Sequence, residues 1–289
     1  MSFFLDTGKR QIDLSYPVCM GIINATPDSF SDGSELAKNP EDKFIVDIDK
    51  ALFRADSFVK QGALIVDVGG ESTRPGARKI PIEEELDRVI PIIQAIKANL
   101  DVCISIDTSS AQVMTEAINA GAEIVNDIRA LSNANALSVA VDSQVAVCLM
   151  HMQGQPRTMQ QSYRYDDVKQ EVFRFLETRV AACKSAGISS ERILIDVGFG
   201  FGKSLEHNFE LLKYLAHFKS LNLPILVGIS RKSMIGGLVN RPPQERLAGS
   251  IAATMLALGN GANIVRTHDV AATVDAIKVH SAYTLAEML

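Results

Sequence analysis

Polar and charged side chains recur in this chain at the ends of short apolar runs. Read in order, those ends give Asn24, Asp67, Asp107, Asn126 with Asp127, His151, Asp196, Ser230 with Lys232, and Arg266 with His268. Such groups are costly to bury without a partner. Helix capping or mutual pairing accounts for any one of them, but poorly for the whole series. Asp67 and Asp127 are set aside as structural, because glycine or a helix start follows each closely. The rest divide by chemistry. Asp107, Asn126 and Asp196 can accept from a flat heterocycle rich in N–H donors. Lys232, Arg266 and His268 can hold an anion such as a phosphate.

The runs that carry these ends are VCMGIIN (18–24), ALIVDVGG (63–70), VCISIDT (102–108), EIVNDI (123–128), VAVCLMH (145–151), RILIDVG (192–198), PILVGIS (224–230) and NIVRTH (263–268). Continuous apolar runs of this length suit parallel strands buried on both faces. Amphipathic stretches separate them, including residues 41–62, 82–100 and 109–122, and Gly62, Gly121 and Gly187 stand where helices should end. Strand–helix units repeated in this way predict a single (β/α)8 TIM barrel over residues 1–289, with the polar ends gathered at one mouth. An open doubly wound sheet would carry G-x-G-x-x-G after its first strand, and that motif is absent. The leading FFLDTGKRQIDLS reads as a short N-terminal β-hairpin turning at Thr7-Gly8 and plugging the bottom of the barrel.

Composition narrows the classes. The 289 residues are 47% hydrophobic, with a formal net charge of −5 and no Lys/Arg run, which argues against a nucleic-acid partner. The four cysteines, Cys19, Cys103, Cys148 and Cys183, form no CxxC pair and read as reduced core thiols of a cytoplasmic protein. MSFFLDTGKRQ lacks the basic region of a signal peptide, and no run approaches the ~18 apolar residues of a membrane helix. GFGFGKS (198–204) fails the Walker A spacing, because Val197 stands where a glycine is needed. It reads as a flexible strand-to-helix turn with Phe199 and Phe201 as apolar walls.

The motifs GIINATPDSFSDG (21–33), DVGGESTRPGA (67–77), SIDTS (105–109), AEIVNDI (122–128), LMHMQGQPRTMQ (149–160), DVGFGFGK (196–203), GISRKSMIG (228–236), RLAGSIAA (246–253) and RTHDV (266–270) together resemble the dihydropteroate synthases, a family of pterin-binding enzymes. The resemblance covers essentially the whole chain. One departure is Val197, where the family commonly has proline. The resemblance implies a (β/α)8 fold and the joining of p-aminobenzoate to (7,8-dihydropterin-6-yl)methyl diphosphate, with release of pyrophosphate. It assigns the pterin ring to Asp107, Asn126, Asp196 and Lys232, and the diphosphate to Asn24, Arg266 and His268, with Asn24 also reaching Mg²⁺. Thr73 would contact the pterin substrate, with Arg74 nearby, and Ser230, Phe201, Phe30 and Pro75 would surround p-aminobenzoate. The loops after Asn24 and around STRPGARK are expected to close over the bound pterin.

Three rivals are weaker. A pterin-binding methyltransferase would not need ESTRPG or SRKS. A Schiff-base aldolase needs its lysine within a strand, whereas Lys232 follows one. A non-catalytic pterin carrier would have lost the phosphate ligands. Residues 245–262, ERLAGSIAATMLALGNGA, are apolar on almost every face of a helix, where an outer barrel helix needs one stripe; a homodimer is expected there.

Overall fold

A computed structural model describes residues 3–26, 46–72, 77–155, 159 and 163–286. The β-branched and aliphatic runs become β3 (Val18–Asn24), β4 (Ile65–Gly69), β5 (Cys103–Asp107), β6 (Ile124–Asp127), β7 (Ala146–Met150), β8 (Ile193–Asp196), β9 (Ile225–Val227) and β10 (Ile264–Thr267). All neighbouring pairs are parallel, and β10 pairs with β3, so the eight strands close into a barrel. Each strand lies inside its predicted run. β9 is the shortest relative to expectation, because the chain turns away at residues 230–232.

The helices are α1 (Ile48–Lys60), α2 (Ile82–Asn99), α3 (Ala111–Ala120), α4 (Ala136–Ser143), α5 (Val168–Ser185), α6 (Leu205–Lys213), α7 (Ser233–Val239), α8 (Leu247–Gly259) and α9 (Val270–Leu285). Side-chain caps start several of them. Asp47 accepts from the Lys50 amide at 3.1 Å, and Ser204 with His207 forms a reciprocal capping box. The glycines expected to end helices, Gly62, Gly121 and Gly187, all have left-handed φ. Gly21 is needed for another reason: a Cβ there would meet the Phe58 ring at 2.5 Å, so its absence lets α1 lie close on β3.

Two apolar layers form. The larger one, with Val66, Ile104, Val125, Val147 and Ile195, fills the space between barrel and helices. The second lies inside the barrel and comprises Met20, Ile65, Cys103, Ile124, Cys148, Leu194, Leu226 and Ile264 among others. The hairpin of β1 (Phe4–Asp6) and β2 (Gln11–Asp13) caps this inner layer, contributing buried Leu5, Ile12 and Leu14. An ion pair pins it: Arg10 donates to fully buried Glu123 at 2.7 and 3.0 Å, and Thr7 donates to the same carboxylate at 3.1 Å. Among the described residues the hairpin therefore covers the bottom of the barrel and leaves its C-terminal mouth to the polar strand ends.

Candidate active site

Strand periodicity decides what faces the barrel axis. Side chains alternate along a strand, so the residues two positions beyond the inner apolar layer also point inward. Those positions are Ile22, Asp67, Ser105, Asn126, Met150, Asp196, Gly228 and Arg266. The next layer toward the mouth begins with Asn24, Gly69 and Asp107. In the sheet, Asn24 pairs with Gly69, Gly69 with Asp107 and Asp107 with Asn126. Gly69 leaves the space between its neighbours open, since a Cβ there would lie 3.7 Å from Asn24 Oδ1 and 3.5 Å from Asp107 Cβ.

Arg266 ties these layers together. Its Nε donates to Asp67 at 2.6 Å and its Nη2 to Asp107 at 2.8 Å. Asn126 donates to the same Asp67 oxygen at 3.2 Å, and Asp67 Oδ1 is buried with no hydrogen-bond partner among the described residues. Burial works against the Arg266 charge, but Asp67 and Asp107 more than offset it and raise its pKa. Burial raises the Asp107 pKa, with Arg266 opposing and Asp67 reinforcing. Its side chain is 16% exposed at the mouth, where water relieves part of that penalty. Asp196 is likewise raised by burial; Lys232 and the Gly198 amide, 2.8 Å from Oδ1, pull it back.

Lys232 approaches from the turn after β9. Its Nζ donates to the Phe199 carbonyl at 2.5 Å and lies 4.6 Å from the centre of the Phe201 ring. Burial pushes its pKa down to about 8, with Asp196 opposing. The turn itself is held from three sides. Arg231 has φ of 58°, its amide donates to Ser250 Oγ at 2.9 Å, and its guanidinium pairs with Asp269 at 2.5 and 2.9 Å. Arg246 donates to the Arg231 carbonyl at 2.9 Å. Beside it, Ser230 Oγ accepts from the His268 amide at 3.2 Å and lies 3.2 Å from His268 Nδ1, while His268 Nε2 stands 3.5 Å from Asn24 Nδ2.

The expected site residues thus fall into two connected groups. Asp107, Asn126, Asp196, Lys232 and Arg266 line the inner layers, and Asn24, Ser230 and His268 form a cluster at the rim. Thr73 and Arg74, with Phe30 and Pro75, lie outside the described residues, as do most of the loop after Asn24 and part of STRPGARK. Asp127 is structural as expected, accepting from the Ser109 hydroxyl and from the Arg129 and Leu131 amides, the latter two at 2.8 Å. Asp67 is not a local cap. It is a central acceptor of the site, and counting two residues on from Ile65 would have found it. The GFGFGKS reading also needs correction. Phe199 is fully buried in the outer core, and Val197 packs there too, while the Phe201 ring covers Lys232. Lys203 and His151 are buried against one another, a pairing with no sequence signal.

The barrel with polar residues at its C-terminal mouth defines a pterin-binding enzyme: residues 20–268 match the family model described as "Pterin binding enzyme", and the chain belongs to that family. The chain is 52% identical over 268 residues to the dihydropteroate synthase of Escherichia coli K12, covering 93% of this chain and 92% of that one. The dihydropteroate synthase of Yersinia pestis, crystallised with a sulfonamide drug complex, superposes with a TM-score of 0.92 at 46% identity, over 98% and 99% of the two chains. That of Xanthomonas albilineans with 4-aminobenzoic acid gives 0.89 at 45%, again over 98% and 99%. Within the family the chain's activity is that of a dihydropteroate synthase, a transferase of folate biosynthesis.

Proposed function

We propose that the inner polar layers bind the dihydropterin and that Asn24 and His268 at the rim, with Arg266, hold its diphosphate. The observation that carries this is the Asp67–Arg266–Asp107 network, joined by Asn126, in the mouth of a barrel covered below by the hairpin. Asp107, Asn126 and Asp196 offer acceptors to the N–H edge of the ring, and Lys232 donates to a ring oxygen. Asn24, His268 and Arg266 stand toward the diphosphate. Ser230 and Phe201, with Phe30 and Pro75, serve the p-aminobenzoate end, and Thr73, with Arg74 nearby, the pterin substrate. The X. albilineans enzyme with 4-aminobenzoic acid supports a second substrate of that chemistry.

The donor set bears on magnesium. Among the described residues no group of three or more His, Cys, Asp or Glu can hold a metal. Asn24 offers one amide oxygen. Mg²⁺ is commonly held by one or two protein oxygens together with substrate phosphates and water, so Asn24 fits an ion that arrives with the diphosphate. When bound, it neutralises charge on the leaving group. The protein's part is electrostatic: Arg266 and His268 stabilise departing pyrophosphate, and Asp107 stabilises positive charge on the pterin methylene. We favour an SN1-like order, in which the C–O bond breaks first and the amine of p-aminobenzoate attacks the resulting cation. The aryl amine then loses a proton, and no strong base is required.

No helix among the described residues is long and apolar enough to cross a membrane, and we place the enzyme in the cytoplasm. Its partners are small-molecule substrates and a second copy of the chain. The test is pyrophosphate release from the pterin diphosphate with and without Mg²⁺ and p-aminobenzoate. Release dependent on the metal, and product only with the amine, is expected. Asp196→Ala should weaken pterin binding about ten- to a hundred-fold, the worth of a charged hydrogen-bond partner. Unchanged affinity by calorimetry removes Asp196 from the ring site.

A further inference from the structure

Lys203 is 3% exposed, and the carboxylate that acts on it is Asp196. Carbonyls surround its Nζ. Nζ donates to the carbonyls of Gly198 at 2.9 Å, Phe201 at 3.0 Å and His151 at 3.3 Å, and lies 2.9 Å from His151 Nδ1. Burial pushes the Lys203 pKa well down, with Asp196 opposing, and these carbonyls take the place of water around its N–H groups. Burial, then the Lys203 charge, push the His151 pKa down to about 2, so the ring is neutral. The loop can turn its carbonyls inward because Gly198, Gly200 and Gly202 have φ of 70°, 81° and 62°. At Gly198 a Cβ would lie 1.9 Å from the His151 carbonyl oxygen. Take away Nζ, and three carbonyl dipoles converge with no donor between them, which is unfavourable in a buried place.

The same loop carries two contacts of the pterin end outward. The Gly198 amide donates to Asp196 Oδ1, and the Phe199 carbonyl and Phe201 ring hold Lys232 Nζ. We propose that Lys203 is a positioning residue: its caged Nζ fixes residues 198–202 so that Asp196 and Lys232 stand where they meet the pterin ring. Lys203 touches no substrate itself. Its effect passes through two carbonyls of the loop to the carbonyl and ring that seat Lys232. This rests on the assignment of Asp196 and Lys232 to the pterin proposed above.

The readout is the alkaline limb of kcat/KM for the pterin diphosphate. Lys232 faces Asp196 from β8, Asp107 from β5 and Arg266 from β10, and the Phe201 ring of the loop covers its Nζ. In Lys203→Met the loop loosens, water reaches Lys232, and the limb should move up by about one pH unit toward the ordinary lysine value. KM for the pterin diphosphate should rise about ten-fold, with KM for p-aminobenzoate changed less. A merely structural residue would lower the melting temperature and leave the limb in place. Lys203→Arg keeps a donor in the cage but spreads the carbonyls, and should fall between Met and wild type. It is the variant to read if Lys203→Met does not fold. A folded variant of either kind with limb and pterin KM as in wild type overturns the proposal. Asp196→Asn, run in parallel, separates the two ideas. If it weakens pterin binding while the Lys203 variants do not, the positioning role alone fails. If it leaves pterin binding intact, the ring assignment fails first.

Discussion

Lys232 sits half-buried at the mouth, where its charge is both costly and useful. Burial lowers its pKa to about 8, while Asp196, Asp107 and a backbone carbonyl support the protonated form. If the ammonium donates to the pterin, the sign follows directly. Below pH 8 the lysine is charged and binds; as pH rises through 8 the proton leaves and binding falls. The expected result is an alkaline limb near pH 8 in kcat/KM for the pterin diphosphate. In Lys232→Arg, whatever rate survives should show no limb there, because a guanidinium keeps its proton beyond that range. A limb that stays near pH 8 in the arginine variant would assign it to another group.

At the scale of elements, the N-terminal hairpin does work that an eight-strand barrel cannot do for itself. β1 and β2 pair only with each other in the sheet, register Leu5 to Ile12, yet their apolar side chains complete the inner layer. That layer carries the ring of Asp67, Asn126, Asp196 and Arg266 directly above it. Leu5 is fully buried, so Leu5→Ala should cost about 2–5 kcal/mol of stability, the range for a leucine removed from a packed core. Urea unfolding measures it. A cost below about 1 kcal/mol would mean the hairpin rests on the barrel without sealing it.

The whole molecule raises the question whether it pairs with a second copy. α8 buries Ser250, Ala253, Thr254, Ala257 and Leu258 toward the barrel. α9 packs on it, but α8 still exposes Ala248, Ala252 and Leu256, four residues apart, with Leu256 at 57%. On α9, Val279 and Tyr283 are 61% and 80% exposed. Small and apolar residues at this spacing would let a second helix approach closely, and a second copy across a two-fold axis would cover both at once. Light scattering at micromolar concentration should give roughly twice the chain mass of 31.3 kDa. A monomer under those conditions would reject the dimer and leave the chemistry untouched, since every proposed ligand comes from one chain.

The sequence by itself determined the eight strands, the helices between them, the plugging hairpin and most of the polar strand ends, because these follow from apolar runs, turn residues and end positions that are local in the chain. It placed Asp107, Asn126, Asp196, Lys232 and Arg266 at one mouth, since a closed barrel leaves such ends nowhere else to go. Only the tertiary structure decided which of them touch. Asp67 joined Arg266 across 199 residues of chain, and Lys203 met His151 across 52. Neither contact leaves a mark on local periodicity or composition. Both arise where the closed sheet brings the ends of distant strands within hydrogen-bond reach, and a buried charge there takes whichever acceptors the fold presents.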